Sequence, residues 1–180
     1  MELKPLVLSY ELAWRTKDDE NFRKSDAWRR VIRLRILKQD NYTCRYCGYQ
    51  SEKGMHVNHI DGNPKNNSDD NLEVVCDMCH MITHSGLFCA ILGIVEVYAE
   101  SKYTQNEIVR ITRKMRQEGQ SDDEIRQFLG LRKRAPWKQD LKYLSRLYGF
   151  ISSRKPTRRS PKPLLTENEQ KEVLRDRKNW

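Results

Sequence analysis

Met55-His-Val-Asn-His-Ile60 alternates side-chain character residue by residue, and Asp61-Gly-Asn-Pro-Lys-Asn-Asn-Ser-Asp-Asp70, Asn71-Leu-Glu-Val-Val75 and Cys76-Asp-Met-Cys-His80 follow without a break. The alternation predicts a strand with Met55, Val57 and His59 on one face and His56, Asn58 and Ile60 on the other. The next ten residues are rich in turn formers and read as a surface loop, with Asn66 and Asn67 serving turn chemistry alone. Asn71 to Val75 reads as a second short strand, and Asp77 can cap a helix carrying Met78 to His84. The order is strand, long loop, strand, helix. All four histidines of the chain, His56, His59, His80 and His84, fall inside this window.

Cysteine pairs flank the window. Cys44-x-x-Cys47 precedes the first strand and Cys76-x-x-Cys79 opens the helix. Paired knuckles of this spacing in an intracellular chain read as a tetrahedral zinc site, and Gly48 suits the tight turn that follows the first knuckle. A closed tetrathiolate has no open coordination position, so this zinc would be a staple with no part in activating water. His80 is not needed in that shell, because four cysteines fill it. Cys89 lies in the apolar run Gly86 to Val97, which reads as a buried helix with Cys89 as a small core residue.

Working outward, Ser25 or Asp26 can cap a helix reaching about Lys38, with Trp28, Val31, Ile32, Arg35 and Ile36 in an amphipathic pattern. Residues 1–25 read as an N-terminal arm with a short helix around Ser9 to Trp14. Residues 26–100 form the main region. In the accessory region, 101–150, helices are expected over Gln105 to Glu118, Asp122 to Leu129 and Lys138 to Tyr148. Residues 151–180 comprise a Pro- and Arg-rich linker and a terminal helix over Thr166 to Arg177, opened by the capping box Thr166-Glu-Asn-Glu169. The fold class expected is α+β.

The chain has 34 Lys plus Arg against 25 Asp plus Glu in 180 residues, a formal net charge of +9 that favours a polyanionic partner such as nucleic acid. Only 37% of residues are hydrophobic, so the core should be thin and some stability should come from the metal. No stretch approaches the roughly 18 apolar residues of a membrane span, and the N-terminus lacks the pattern of a secretory signal. A soluble cytoplasmic protein without a membrane partner is expected.

Val57-Asn-His-Ile-Asp-Gly-Asn63, Asn71-Leu-Glu-Val-Val75 and Cys76-Asp-Met-Cys-His80 together resemble the HNH (ββα-metal) endonucleases, in the form where two CxxC knuckles fold the motif around zinc. Ala27-Trp-Arg-Arg leading to Asp40-Asn-Tyr-Thr-Cys44 resembles the family's lead-in helix. The Asn-rich loop is similar to phage and homing-type members. The resemblance covers about residues 26–85 and implies a small ββα-metal core with helical extensions, hydrolysing DNA phosphodiester bonds, double-stranded DNA above all. It places His59 on the general base, Asn71 on the central Asn that ties the loop, and His80 on a metal ligand of the helix. His84 stands one helical turn on, as a second ligand or as a residue of the helix end. Asn58 stands where many members carry an Asp or His ligand; its neutral amide would hold Mg²⁺ or Mn²⁺ less firmly. Arg29, Arg33, Arg45, Arg132 and Arg134 are the candidate phosphate contacts. The rival reading is a non-catalytic zinc-ribbon module that binds nucleic acid or protein. Target choice, in either case, would come from residues 101–180, from a homodimer, or from a partner protein.

Overall fold

The computed structural model describes residues 2–9, 22, 24–25 and 27–155, apart from the side chains of residues 90 and 91. The helix expected from Ser9 to Trp14 lies, beyond Ser9, outside the described residues, as does the one from Thr166 to Arg177. The fold is α+β.

Helix α1 opens in wide π-type turns over Ala27–Arg33 and continues as α-helix over Leu34–Gln39. Ser25 accepts a bond from the Trp28 amide through its Oγ at 3.2 Å, which satisfies one of the orphan donors of the first turn. Strands β1 (Met55–His59) and β2 (Leu72–Cys76) pair antiparallel, with Met55 opposite Cys76, Asn58 opposite Glu73 and His59 opposite Leu72. Helix α2 (Asp77–Thr83) leaves β2 directly. Cys76 takes the extended cap position, so Asp77, expected as the cap, is instead the first helical residue.

The apolar run read as one buried helix is split. Gly86–Ile91 winds as π-turns, Gly93 turns the chain at φ 63°, and Val95–Glu100 forms strand β3. The β-branched residues Ile94, Val95 and Val97 favour extended backbone, and partners distant in sequence complete the ladder. Helices α3 (Gln105–Gln117) and α4 (Asp122–Leu129) follow, each opened by a capping box, Thr104 with Glu107 and Ser121 with Glu124.

One further expectation needs correction, and one strand was not anticipated. The helix expected from Lys138 to Tyr148 contracts to α5 (Leu141–Leu144) before strand β5 (Tyr148–Ile151), and Arg132–Arg134 is strand β4. Both strands take their hydrogen bonds from β3, in the order β4-β3-β5. Gly149 is where that strand lies tight against the core: a Cβ there would sit 2.7 Å from Ile82 and 2.8 Å from Leu8.

Sheet alternation divides the core in two. Val95, Val97 and Ile151 face a large cluster with α1, α2, β1 and β2, including all four knuckle cysteines. Tyr98 and Phe150 face a smaller cluster with Ile108, Met115, Ile125 and Leu129 of α3 and α4. Helix α3 contributes Val109 to the first and Ile108 to the second, so it joins the region before residue 100 to the region after it.

Candidate active site and metal centre

The four cysteines converge. Sγ atoms of Cys44, Cys47, Cys76 and Cys79 all lie within 4.8 Å of one another, fully buried, with Cys47 and Cys76 3.6 Å apart. A tetrahedral ion with bonds of about 2.3 Å needs S–S edges of about 3.8 Å, so the set fits. The first knuckle is held by backbone bonds from Cys44 N to Tyr49 O at 2.9 Å and from Gly48 N to Cys44 O at 3.0 Å. The four sulfurs hydrogen-bond one another, which lowers the Cys44 thiol and raises those of Cys76 and Cys79. The four cysteines are thus positioned to hold a metal ion. Cys89 is partly buried and packs against the large cluster, and burial pushes its thiol up to about 12, which leaves it unreactive.

His59 ends β1 with 8% of its surface exposed. Its ring lies over Trp28 of α1, 5.7 Å between centroids and 17° between planes. Its Nε2 meets Asn67 Oδ1 at 3.0 Å, and Asn67 Nδ2 is committed to Lys65 O, which settles the amide's orientation. Nε2 therefore carries the proton and donates, and Nδ1 is the ring's proton-accepting atom. Asn67 is more than a turn former, contrary to expectation; no signal in the loop sequence distinguishes it from Asn66.

Asn71 closes the loop. Its Oδ1 accepts from Asp61 N at 3.0 Å, and its Nδ2 donates to Asp61 Oδ1 at 2.9 Å and Asn66 O at 2.8 Å. Desolvation works to raise the Asp61 carboxyl, but bonds from Asn66, Asn63 and Asn71 together outweigh it and hold the group below the usual carboxylate range.

The opposite face of β1 carries a second group of residues. Asn58 donates through Nδ2 to Glu73 Oε1 at 3.2 Å across the strand pair. Glu73 is 1% exposed and also accepts from Tyr46 OH at 2.6 Å and Lys4 Nζ at 2.8 Å. Burial and the Glu73 acceptor push the Tyr46 phenol up, so it remains a donor. His56 stacks on His80 of α2 at 4.5 Å, and His84 meets His80 edge-on at 4.5 Å. His56, expected as a surface or packing residue, also bonds Asp77 at 2.5 Å. Among the described residues, the four cysteines are the one set of three or more His, Cys, Asp or Glu side chains close enough to share an ion as they stand.

A cavity of about 230 Å³ lies between these groups, lined by Asn58, His59, Thr83 and His84 on one side and by Pro5 to Ser9 on the other. The N-terminal segment is firmly held there. Leu6 and Leu8 are buried, and Ser9 O accepts from Ser85 Oγ at 2.7 Å and Trp137 Nε1 at 3.2 Å. Glu73, Tyr46 and Lys4 were not expected at the site. A lone carboxylate in the otherwise apolar Leu72-Glu-Val-Val75 is the signal that points to a buried partner.

The arginines are scattered. Arg29 is exposed on α1, Arg33 donates to Met55 O at 2.9 Å, and Arg45 is half-buried beside the first knuckle. Arg132 is exposed on β4, while Arg134 faces Glu96 at 3.5 Å.

Trp28 is both core and support for His59. Trp28→Ala is expected to cost about 3–5 kcal/mol, as for other buried aromatic truncations, and to free the His59 ring. Chemical denaturation would measure the first effect, and loss of ring-current shifts on the His59 NMR resonances the second.

Residues 45–78 match the family model described as HNH endonuclease. The chain is also 31% identical over 71 residues to the Type 4 apparatus protein DotN of Legionella pneumophila subsp. pneumophila. That alignment covers 39% of this chain and 30% of the relative.

Proposed function

We propose that this chain, in which residues 45–78 match HNH endonucleases, is a metal-dependent DNA endonuclease with zinc at its four cysteines. The observation that carries the reading is the state of His59: a buried imidazole held on two sides, donating from Nε2 to Asn67, with Nδ1 as acceptor. Such an imidazole suits a general base near neutral pH, deprotonating water for in-line attack on phosphorus. Asn71 positions it by tying both ends of the loop that carries Asn67.

Asn58, His80 and His84 would hold Mg²⁺ or Mn²⁺. With two imidazoles and no carboxylate, this set suits Mn²⁺ better than Mg²⁺. The bound cation would neutralise charge on the scissile phosphate and on the leaving 3′-oxygen. Arg29 and Arg132, both exposed, are the better placed of the candidate phosphate contacts. The region 101–150 would serve as the accessory part of the enzyme.

Supercoiled plasmid incubated with the zinc-loaded protein and Mn²⁺ or Mg²⁺ should be nicked or linearised, faster with Mn²⁺. The product separates single-strand from double-strand cleavage, and an RNA competitor separates the substrates. A second reading is favoured by the N-terminal segment lining the cavity and by a relative described as an apparatus protein: a non-catalytic zinc module that binds a partner. Absence of cleavage by folded, metal-replete protein selects it.

Asn58→Asp tests the cation ligands. It replaces a donor to buried Glu73 with a second carboxylate, and the zinc-loaded protein without Mn²⁺ or Mg²⁺ should lose about 1–3 kcal/mol. If Asn58 faces the cation, Mn²⁺ should restore the melting temperature of this variant more than it raises that of the wild type. An equal response of the two proteins to Mn²⁺ would remove Asn58 from the ligand set.

A further inference from the structure

The tetrathiolate is not surrounded by apolar side chains alone. Arg113, on α3 and outside the matched segment 45–78, donates from Nη2 to Cys76 Sγ at 2.9 Å. Its guanidinium lies over the Tyr49 ring at 3.7 Å, and Tyr49 closes the first knuckle through the backbone bond to Cys44. Arg113 therefore touches both halves of the metal centre, one through sulfur and one through an aromatic face.

Its placement follows from the helix. Asn106, Val109 and Arg113 lie on one face of α3 by their spacing. Asn106 donates to Tyr46 O and Lys4 O, both at 2.7 Å, and accepts from Leu6 N at 2.9 Å. Val109 is fully buried in the cluster that contains the cysteines. This face seats α3 on the first knuckle, and Arg113 reaches the metal side.

Four thiolates around a divalent ion carry a net charge of −2 into a buried position, where an uncompensated charge is expensive. A guanidinium at hydrogen-bond distance offsets part of it and withdraws electron density from the bonded sulfur. The charge offset favours the loaded, anionic site over the empty one.

We propose that Arg113 is the outer-sphere partner of the tetrathiolate metal and sets how firmly it is held, so that docking of α3 controls retention of the ion. This rests on the metal reading of the four cysteines, and metal analysis of the purified wild-type chain comes first. One zinc per chain upholds that reading whatever Arg113 does; a chain with no zinc removes it independently of Arg113.

The test is the rate of zinc release from the full zinc-loaded chain to a colorimetric chelator, for wild type, Arg113→Met and Arg113→Lys. Met keeps the bulk over Tyr49 but has neither charge nor donor; Lys keeps the charge. Release from Arg113→Met should be about tenfold faster, the lower end of what loss of an outer-shell partner costs, with Arg113→Lys in between. Equal rates for wild type and Met would overturn the proposal, as would Met and Lys equally fast, which would assign the effect to packing alone. Should Arg113→Met not fold, Arg113→Gln is read in the cobalt-substituted protein. Weakening the bond to Cys76 should move the thiolate-to-cobalt charge-transfer band to lower energy, and an unmoved band would overturn the proposal.

Discussion

His59→Ala lowers the rate of plasmid cleavage by about 100- to 10,000-fold, the range for loss of a general base, while metal content and DNA affinity stay close to wild type. The ring sits at the end of β1, against Trp28 and Asn67, and is not one of the four grouped sulfur ligands. Its removal therefore deletes a proton acceptor without touching the ligand set. A cavity will form beside Trp28, so His59→Gln, which refills part of it, is the companion variant. Both should be inactive at neutral pH, and activity should recover partly in alkaline buffer or with added imidazole, because an external base then replaces the missing one. Wild-type cleavage by either variant would remove His59 from the mechanism and move the water-activating role to another residue of the cavity.

Cys79→Ser has the other large effect, on folding rather than on turnover. Cys79 is fully buried at the start of α2, and its sulfur lies with three others inside the main cluster. Structural zinc sites of this kind contribute apparent binding energies of about 10–16 kcal/mol, against a typical total stability of about 5–15 kcal/mol. A serine hydroxyl is a poor zinc ligand, so the variant should lose zinc and most of its cooperative thermal transition, measured by metal analysis and circular dichroism. The contrast with the catalytic cation is diagnostic. Omitting Mn²⁺ and Mg²⁺ should stop cleavage and lower the melting temperature only slightly, whereas a strong zinc chelator should remove the fold itself. A Cys79→Ser protein that melts like wild type would show that the four thiols pack without needing the ion.

The elements around the site were legible because their signals are local. Alternation in Met55 to His59, turn residues in Asp61 to Asp70, and paired cysteines at fixed spacing each depend on neighbours a few residues away. The elements misread or not anticipated are those whose pairing is remote. Val95 to Glu100 hides at the end of an apolar run. Arg132 to Arg134 resembles a solvated charge cluster, and Tyr148 to Ile151 continues an apparent helix. All three become strands because each completes the ladder of another. Asn67 and Glu73 were missed for a related reason: what matters about each is the side chain it meets, and that partner is set by loop closure and strand register.

By itself, the sequence determined the tetrathiolate, the order strand-loop-strand-helix and the confinement of every histidine to that unit, since spacing and periodicity carry this information along the chain. Only the tertiary structure decided which atom of His59 holds the proton, that Asn58 faces Glu73, and that the N-terminal segment lines the cavity. It alone placed Arg113 of a helix 37 residues downstream against Cys76. The physical reason is that hydrogen bonds and charges act across a few ångströms of space, and only folding brings residues far apart in sequence within that reach.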